Sequence, residues 1–201
     1  ASDDIIKVSG AYVTTDDTIN GGGGNDKFVA AADWTVADGT FTNVSNFEIL
    51  EGTSNGSVDF LITGTLGADA SSAGLTTINF LHNDEAGDAL TIGSGYASDF
   101  TVDFDGSHEN VLDASATSKA ATINATIAEL ENGANGAHSI TGGSGTGDKL
   151  NITVSSATTL AAADTASIAG VETWTLIDGE AATARSFSIA LSDGNAAWTD
   201  A

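Results

Sequence analysis

Three short segments of this chain repeat one pattern: a small residue or Asn, an Asp, any residue, then a large apolar one. They are "NDKFV" at 25–29, "GDALT" at 87–91 and "GDKLN" at 147–151. Their aspartates, Asp26, Asp88 and Asp148, stand 88−26 = 62 and 148−88 = 60 residues apart. A second landmark keeps the same pace: "VSNFEILEG" at 44–52, "GSHENVLDA" at 106–114 and "AGVETWTLIDG" at 169–179. Its glutamates, Glu48, Glu109 and Glu172, are separated by 109−48 = 61 and 172−109 = 63 residues. Two independent markers thus agree on a period of about 61, which divides the chain into three tandem units, approximately 12–72, 73–133 and 134–201. The reading is a single elongated β domain over 1–201.

The period constrains the fold. An immunoglobulin-like sandwich needs about 100 residues, whereas about 61 suits three coils of roughly 20 residues each in a stacked β architecture. The expected class is therefore all-β, with β-solenoid or β-roll-like repeats. Apolar and polar residues alternate in "TINF", "FTVDF" and "SFSIAL", as strands do. Asn-Gly and Asp-Gly dipeptides recur at 20–21, 38–39, 55–56, 105–106, 132–133, 135–136, 178–179 and 193–194. Such dipeptides also close hairpins, so an antiparallel β-sandwich is the alternative. Proline is absent, as expected if most strands donate to a neighbour, because proline removes a ladder hydrogen bond. "INATIAELE" (123–131) and "ATTLAAADTA" (157–166) read as helical excursions of one or two turns.

The partners follow from charge. With 28 acids against 5 bases the net charge is −23, and Lys7, Lys27, Lys119, Lys149 and Arg185 are scattered. Nucleic acid and anionic lipid need clustered cations, so neither is expected as a partner. Metal cations are. Hydrophobic residues at 41% and charged ones at only 16% argue for a packed core rather than disorder. The absence of cysteine removes disulfides, thiolate metal sites and cysteine nucleophiles. No apolar run approaches the roughly 18 residues of a membrane span and no basic-then-apolar leader opens the chain. A soluble chain without membrane insertion is expected: mature, excised, or exported by a signal other than an N-terminal one.

The stretch "INGGGGNDKFV" (19–29) is the most specific local signal. A phosphate loop needs a lysine and a hydroxyl directly after its glycines, and here Asn25 and Asp26 follow instead. "GGGGNDKFV" (21–29) fits the calcium-binding repeat G-G-x-G-x-D-x-U-x at every fixed position, with Phe28 as the large apolar residue. Glycines permit a tight turn, the aspartate adds a hard anionic oxygen, and the apolar residue starts a strand that faces the core. In this respect the segment resembles the RTX (hemolysin-type) calcium repeats of secreted bacterial proteins. "YVTTDDTIN" (12–20) keeps Asp17 and Ile19 without the glycines, "GGSGTGDKLN" (142–151) is the same turn with one insertion, and "HNDEAGDALT" (82–91) replaces glycines by Asp84 and Glu85.

The candidate calcium set is therefore Asp17, Gly22, Gly24, Asp26, Asp84, Asp88, Gly143, Gly145 and Asp148. To it is added the acidic stretch "DFDGSHE", with Asp103, Asp105 and Glu109, read either as an irregular calcium site or as a solvated turn. The order of glycine-aspartate turn, alanine-rich strand and "IAGVETWTL" is similar to the large repetitive β proteins of bacterial surface layers and type I-secreted adhesins. That resemblance implies an extracellular, calcium-stabilised structural or adhesive protein.

His82, His108 and His138 make no zinc-type pair and read as surface or loop residues. Trp34, Trp174 and Trp198 read as core or seam anchors rather than sugar platforms. The expectation is a non-enzymatic structural protein that assembles with copies of itself into a surface layer, filament or matrix. The alternatives are a calcium-dependent adhesin module that binds cell-surface carbohydrate or a partner surface, and a carbohydrate-active enzyme or its accessory module.

Overall fold

The computed structural model describes residues 2–8, 13–54, 59–60, 62–81, 87–105, 110–131, 138–154, 158–178 and 187–189. Its frame is two parallel sheets. The larger has eight strands: Ile5–Val8, Lys27–Ala30, Ile49–Glu51, Thr77–Leu81, Phe100–Asp105, Ala121–Thr126, Lys149–Val154 and Thr173–Asp178, adjacent in that order. The smaller runs Trp34–Val36, Ile62–Leu66, Ala89–Ile92, Val111–Asp113, Ser139–Thr141 and Ile168–Ala169. From Lys27 onward the chain visits the two sheets strictly in turn. Each crossover that a parallel pair requires is thus itself a strand of the other sheet.

Register in the larger sheet is continuous. Ile5, Lys27, Ile49, Thr77, Thr101, Thr122, Lys149 and Thr173 make one row, in steps of 22, 22, 28, 24, 21, 27 and 24 residues. The next row, Ile6, Phe28, Leu50, Ile78, Val102, Ile123, Leu150 and Trp174, faces inward. Its six central members are fully buried, and only the two end members, Ile6 and Trp174, are partly exposed. The smaller sheet opposes this with Leu90, Leu112, Ile140 and Ile168 in one row of its own. Period-two alternation alone produces both faces, because successive side chains of a strand point to opposite sides.

The outward face of the larger sheet is polar and laddered. Asn151 Nδ2 donates to Asn124 Oδ1 at 2.8 Å, and Asn124 Nδ2 donates to Asp103 Oδ1 at 2.5 Å. Further along the same row Asn79 Nδ2 donates to Glu51 Oε2 at 3.2 Å, and Lys27 Nζ makes an ion pair with that oxygen at 3.1 Å. Like side chains repeated every strand step can bond to one another along the stack, which ties neighbouring strands together outside the backbone ladder.

Aromatic rings fill the N-terminal part of the core. Phe28 has its ring 4.2 Å from that of Phe47, 6.1 Å from Phe41 and 6.4 Å from Trp34. Trp34 is buried, and Trp174 packs partly buried against the core, whereas Trp198 lies outside the described residues. The two expected helical excursions are single turns, Ile127–Leu130 and Ala162–Thr165, the second preceded by a short strand at Thr158–Leu160. A third helix, Ala68–Ala73, has no apolar stripe to betray it in sequence. Asp38, one strand step away, caps it by accepting the Gly67 and Ala70 N–H groups at 2.7 and 2.9 Å.

The antiparallel sandwich is overturned. Among the described residues every strand pair is parallel except Thr53–Ser54 with Asp59–Phe60. The physical reason is what the turns do: the Asn20-Gly21 turn leads from the strand Ile19–Asn20 into Lys27–Ala30, which belongs to a different sheet. It redirects the chain to another face instead of folding it back on its neighbour. Among the described residues no strand order closes a barrel.

Truncating Phe28 removes the ring that three others touch. Phe28→Ala should cost about 3–5 kcal/mol in urea unfolding, against within about 0.5 kcal/mol for the exposed Thr173→Ala.

Candidate metal-binding turns

Two glycine turns have the same construction. In the first, residues 22–25 are exposed and Asp26 behind them is fully buried; in the second, residues 146 and 147 are exposed above an equally buried Asp148. Asp26 Oδ1 accepts the Asp4 N–H at 2.6 Å, and Asp148 Oδ1 accepts the Ala121 N–H at 2.6 Å. Each aspartate sits just before a strand and bonds to the chain one strand step earlier. Its own N–H goes one step later: Asp26 N–H to Glu48 Oε2 at 2.7 Å, and Asp148 N–H to Glu172 Oε2 at 2.8 Å.

The equivalence extends to the backbone. Asn46 and Gly170, both two residues before those glutamates, adopt positive φ of 58° and 66°. Their carbonyl oxygens lie against Gly21 and Gly142, where any side chain would collide with them. Gly22 and Gly24 have φ of 91° and 139°, a region that L side chains rarely adopt. Gly143 is constrained differently: an added Cβ would stand 2.8 Å from the Lys119 carbonyl oxygen, so only a glycine lets the two segments approach. Gly145 likewise abuts the Ser118 carbonyl, and this turn carries a single positive φ, at Gly147 (103°), where the first turn has two.

Asp88 has the same role in the other sheet. Its Oδ1 accepts the Ile62 N–H at 2.5 Å, and its N–H donates to Asn110 Oδ1 at 2.9 Å. Asn110 N–H in turn donates to His138 Nδ1 at 2.9 Å. The middle landmark is therefore Asn110 rather than Glu109, which lies outside the described residues, as do Asp84 and the Asp105 side chain. His138 is buried beside Phe104 rather than at the surface, in the loop position just before the strand Ser139–Thr141. His82 and His108 lie outside the described residues.

The remaining candidates do not join these turns. Asp17 Oδ2 accepts both the Thr14 N–H and the Thr14 hydroxyl, at 2.8 and 3.0 Å, closing its own turn. Those bonds hold its carboxyl below the usual carboxylate range. Asp103 belongs to the outward amide ladder. Glu48 and Glu172 have gained a definite task, receiving backbone donors, which their period in the sequence had marked without explaining.

Among the described residues no three acidic or imidazole side chains converge on one point. What the turns do offer is one buried carboxylate oxygen each: Asp26 Oδ2 and Asp148 Oδ2 make no hydrogen bond. A hard cation held here would take that oxygen together with main-chain carbonyls, the donor chemistry calcium accepts. No family model, no curated protein and no solved structure matches this chain.

Burial pushes the Asp148 carboxyl above its ordinary value, and the nearby Glu172 and Asp99 push the same way, against the hydrogen bond from Ala121 and the closeness of the Gly143 N–H. A raised value means that the folded state binds the proton more tightly than the unfolded one. The stability this provides is complete below about pH 3.8 and is lost as pH rises through the raised value. Asp148→Asn keeps an oxygen for Ala121 and carries no charge. In chelator at pH 7 it should melt at or a few degrees above the native chain, with about 2–4 °C per kcal/mol, and the difference should vanish near pH 3.8. A lower melting temperature in chelator at pH 7 would show that the charge itself stabilises the turn.

Proposed function

We propose that this chain is an extracellular structural protein that assembles with copies of itself into a bacterial surface layer, filament or matrix, its stacked β-solenoid coils stabilised by calcium. The observation that carries the reading is the repeated cradle. Two turns more than a hundred residues apart place a buried carboxylate, with one oxygen lacking a donor, behind exposed glycines. Desolvating a carboxylate without a partner is costly, and a cation at that oxygen offsets the cost. Asp26 and Asp148 would hold the ions, with Gly22, Gly24, Gly143 and Gly145 shaping the loops, and the calcium supplies charge neutralisation rather than catalysis.

Alternation between two parallel sheets with steps of 21 to 28 residues supports the solenoid reading, since each circuit adds one strand to each growing sheet. The net charge of −23 supports a cation-rich exterior as the working environment. Release through type I secretion fits the resemblance of the glycine turn to RTX repeats.

A second reading, a calcium-dependent adhesin module that binds polysaccharide, draws on the outward face. There Thr77, Thr101 and Thr122 line up beside the amide row, a flat array of hydroxyls and amides suited to a repeating sugar chain. Glycan-array binding in calcium by dispersed protein would favour it.

Extracellular sites have dissociation constants of roughly 10⁻⁴ to 10⁻³ M, so calcium at about 1 mM adds about 0.4–1.4 kcal/mol per site. Millimolar calcium should therefore raise the melting temperature over chelator. Asp26→Ala should lose about half of the calorimetric binding, whereas the exposed Asp16→Ala should lose none. Superimposable melting curves with and without calcium would refute the calcium role, and electron microscopy of the purified chain in calcium tests the assembly.

A further inference from the structure

Three large hydrophobic side chains are exposed among the described residues: Ile5 at 59%, Leu176 at 46% and Ile177 at 44%. All three lie on the two edge strands of the eight-stranded sheet, Ile5–Val8 at one end and Thr173–Asp178 at the other. Among the described side chains nothing comparable is exposed on the six strands between them. The exposure therefore marks the ends of the stack and not its sides.

The two ends differ in the way that a joint requires. At the first edge a groove of about 500 Å³ is lined by Ile6, Val8, Val13, Ile19 and Ala31 together with the polar Lys7, Asp17 and Thr18. At the other edge Trp174 and Leu176 lie in the two rows that face inward everywhere else, and both are incompletely covered. The inward row from Ile6 to Trp174 is fully buried at its six central positions and open at both termini. A parallel edge presents unpaired donors and acceptors, so a strand added in the same direction continues the ladder.

We propose that the occupant of each edge is a second copy of this chain, joined head to tail, with the first strand of one copy pairing in parallel with the last strand of the next. This rests on the assembly reading above and specifies its junction. In the register of the sheet, Ile5 of one copy falls beside Thr173 of its neighbour and Ile6 beside Trp174, closing the apolar row. Val8 falls beside Leu176. The contact is heterologous and joins unlike surfaces, and because it continues the sheet along the direction of stacking it extends into an open filament rather than a closed two-fold dimer. Asp3 and Asp4 at one edge and Glu172 at the other are the cost: like charges meet at the joint, and association strengthens as salt or a divalent cation screens them.

The chain has no cysteine, which makes the register directly testable. Ile5→Cys and Thr173→Cys, both at exposed positions, are combined in one variant and oxidised in calcium and about 0.15 M salt. Adjacent parallel strands bring these Cα atoms within disulfide range. The expected result is a ladder of covalent dimers, trimers and larger species on a non-reducing gel, at least tenfold above either single variant. Ile5→Cys with Ile177→Cys, displaced along the strand by about 13 Å, should give no ladder.

Leu176→Lys in the cysteine-free chain should abolish sedimentation of oligomers while leaving the circular dichroism unchanged. Equal yield from a single-cysteine variant would overturn the joint in favour of a two-fold contact. Equal yield from the displaced pair would reduce it to collision, and no covalent species would mean that the edge is covered by the chain itself or stays bare. If electron microscopy finds assemblies of the native chain but the register pair does not link, the junction is wrong and the structural reading stands. If the native chain forms no assembly, both fail.

Discussion

The N–H of the residue that precedes a strand is the group on which this arrangement depends. At Asp26, Asp88 and Asp148 that donor is met by a side chain from the next strand step, Glu48, Asn110 or Glu172. The aspartate's own Oδ1 meets a donor from the step before, at Asp4, Ile62 or Ala121. A buried donor left unmet costs about 1–3 kcal/mol. At Glu48, Thr76, Phe100 and Glu172 the equivalent donor goes to a main-chain carbonyl, whereas at Asp26, Asp88 and Asp148 these side chains meet it. Acidic and amide residues at these places link three successive strand steps, which holds the apolar rows in register behind them. The glycines follow from the same demand, because Asp26 and Asp148 can reach back only where a neighbouring carbonyl passes without a Cβ in its way.

The same placements load the molecule with charge. The column before the larger sheet's strands reads Asp4, Asp26, Glu48 at one end and Asp148, Glu172 at the other, while Thr76, Phe100 and Ala121 keep its middle neutral. In this column the acids are therefore concentrated toward the ends of the stack, with Asp4, Glu48 and Glu172 accessible to solvent and Asp26 and Asp148 buried between them. Few lysines balance them: Lys27 with Glu51 is the ion pair among the described residues. Cation dependence and end-to-end association are in this sense one question, since both concern carboxylates gathered where stacked strands stop.

Much of the strand content was legible. "TINF", "FTVDF" and "KLNITV" lie in strands with their apolar residues inward, "KFV" does so with Phe28 inward, and the two single-turn helices sit inside the stretches that suggested them. The helix Ala68–Ala73 was not legible, because its cap, Asp38, comes from another strand step. Nor was the task of His138, whose partner Asn110 is 28 residues away. Of the candidate site, Asp26, Asp88 and Asp148 share one role, but Asp17 and Asp103 belong to local and outward bonding, which composition could not separate from it.

By itself the sequence determined the period, the alternation that gives each strand an apolar side, and the turn positions that only glycine fills. These are local properties, written in residue type and spacing. Tertiary structure decided direction, and which landmarks meet. Five strand steps separate Lys27–Ala30 from Lys149–Val154, so a period of about 61 residues advances the stack by two and a half steps and lands on the opposite sheet. Asp26 and Asp148 consequently share one sheet, while Asp88, their equal in sequence, belongs to the other. The step length depends on how many residues each loop or helical turn absorbs between strands, and that number is settled by packing against the strand below, not by the repeat.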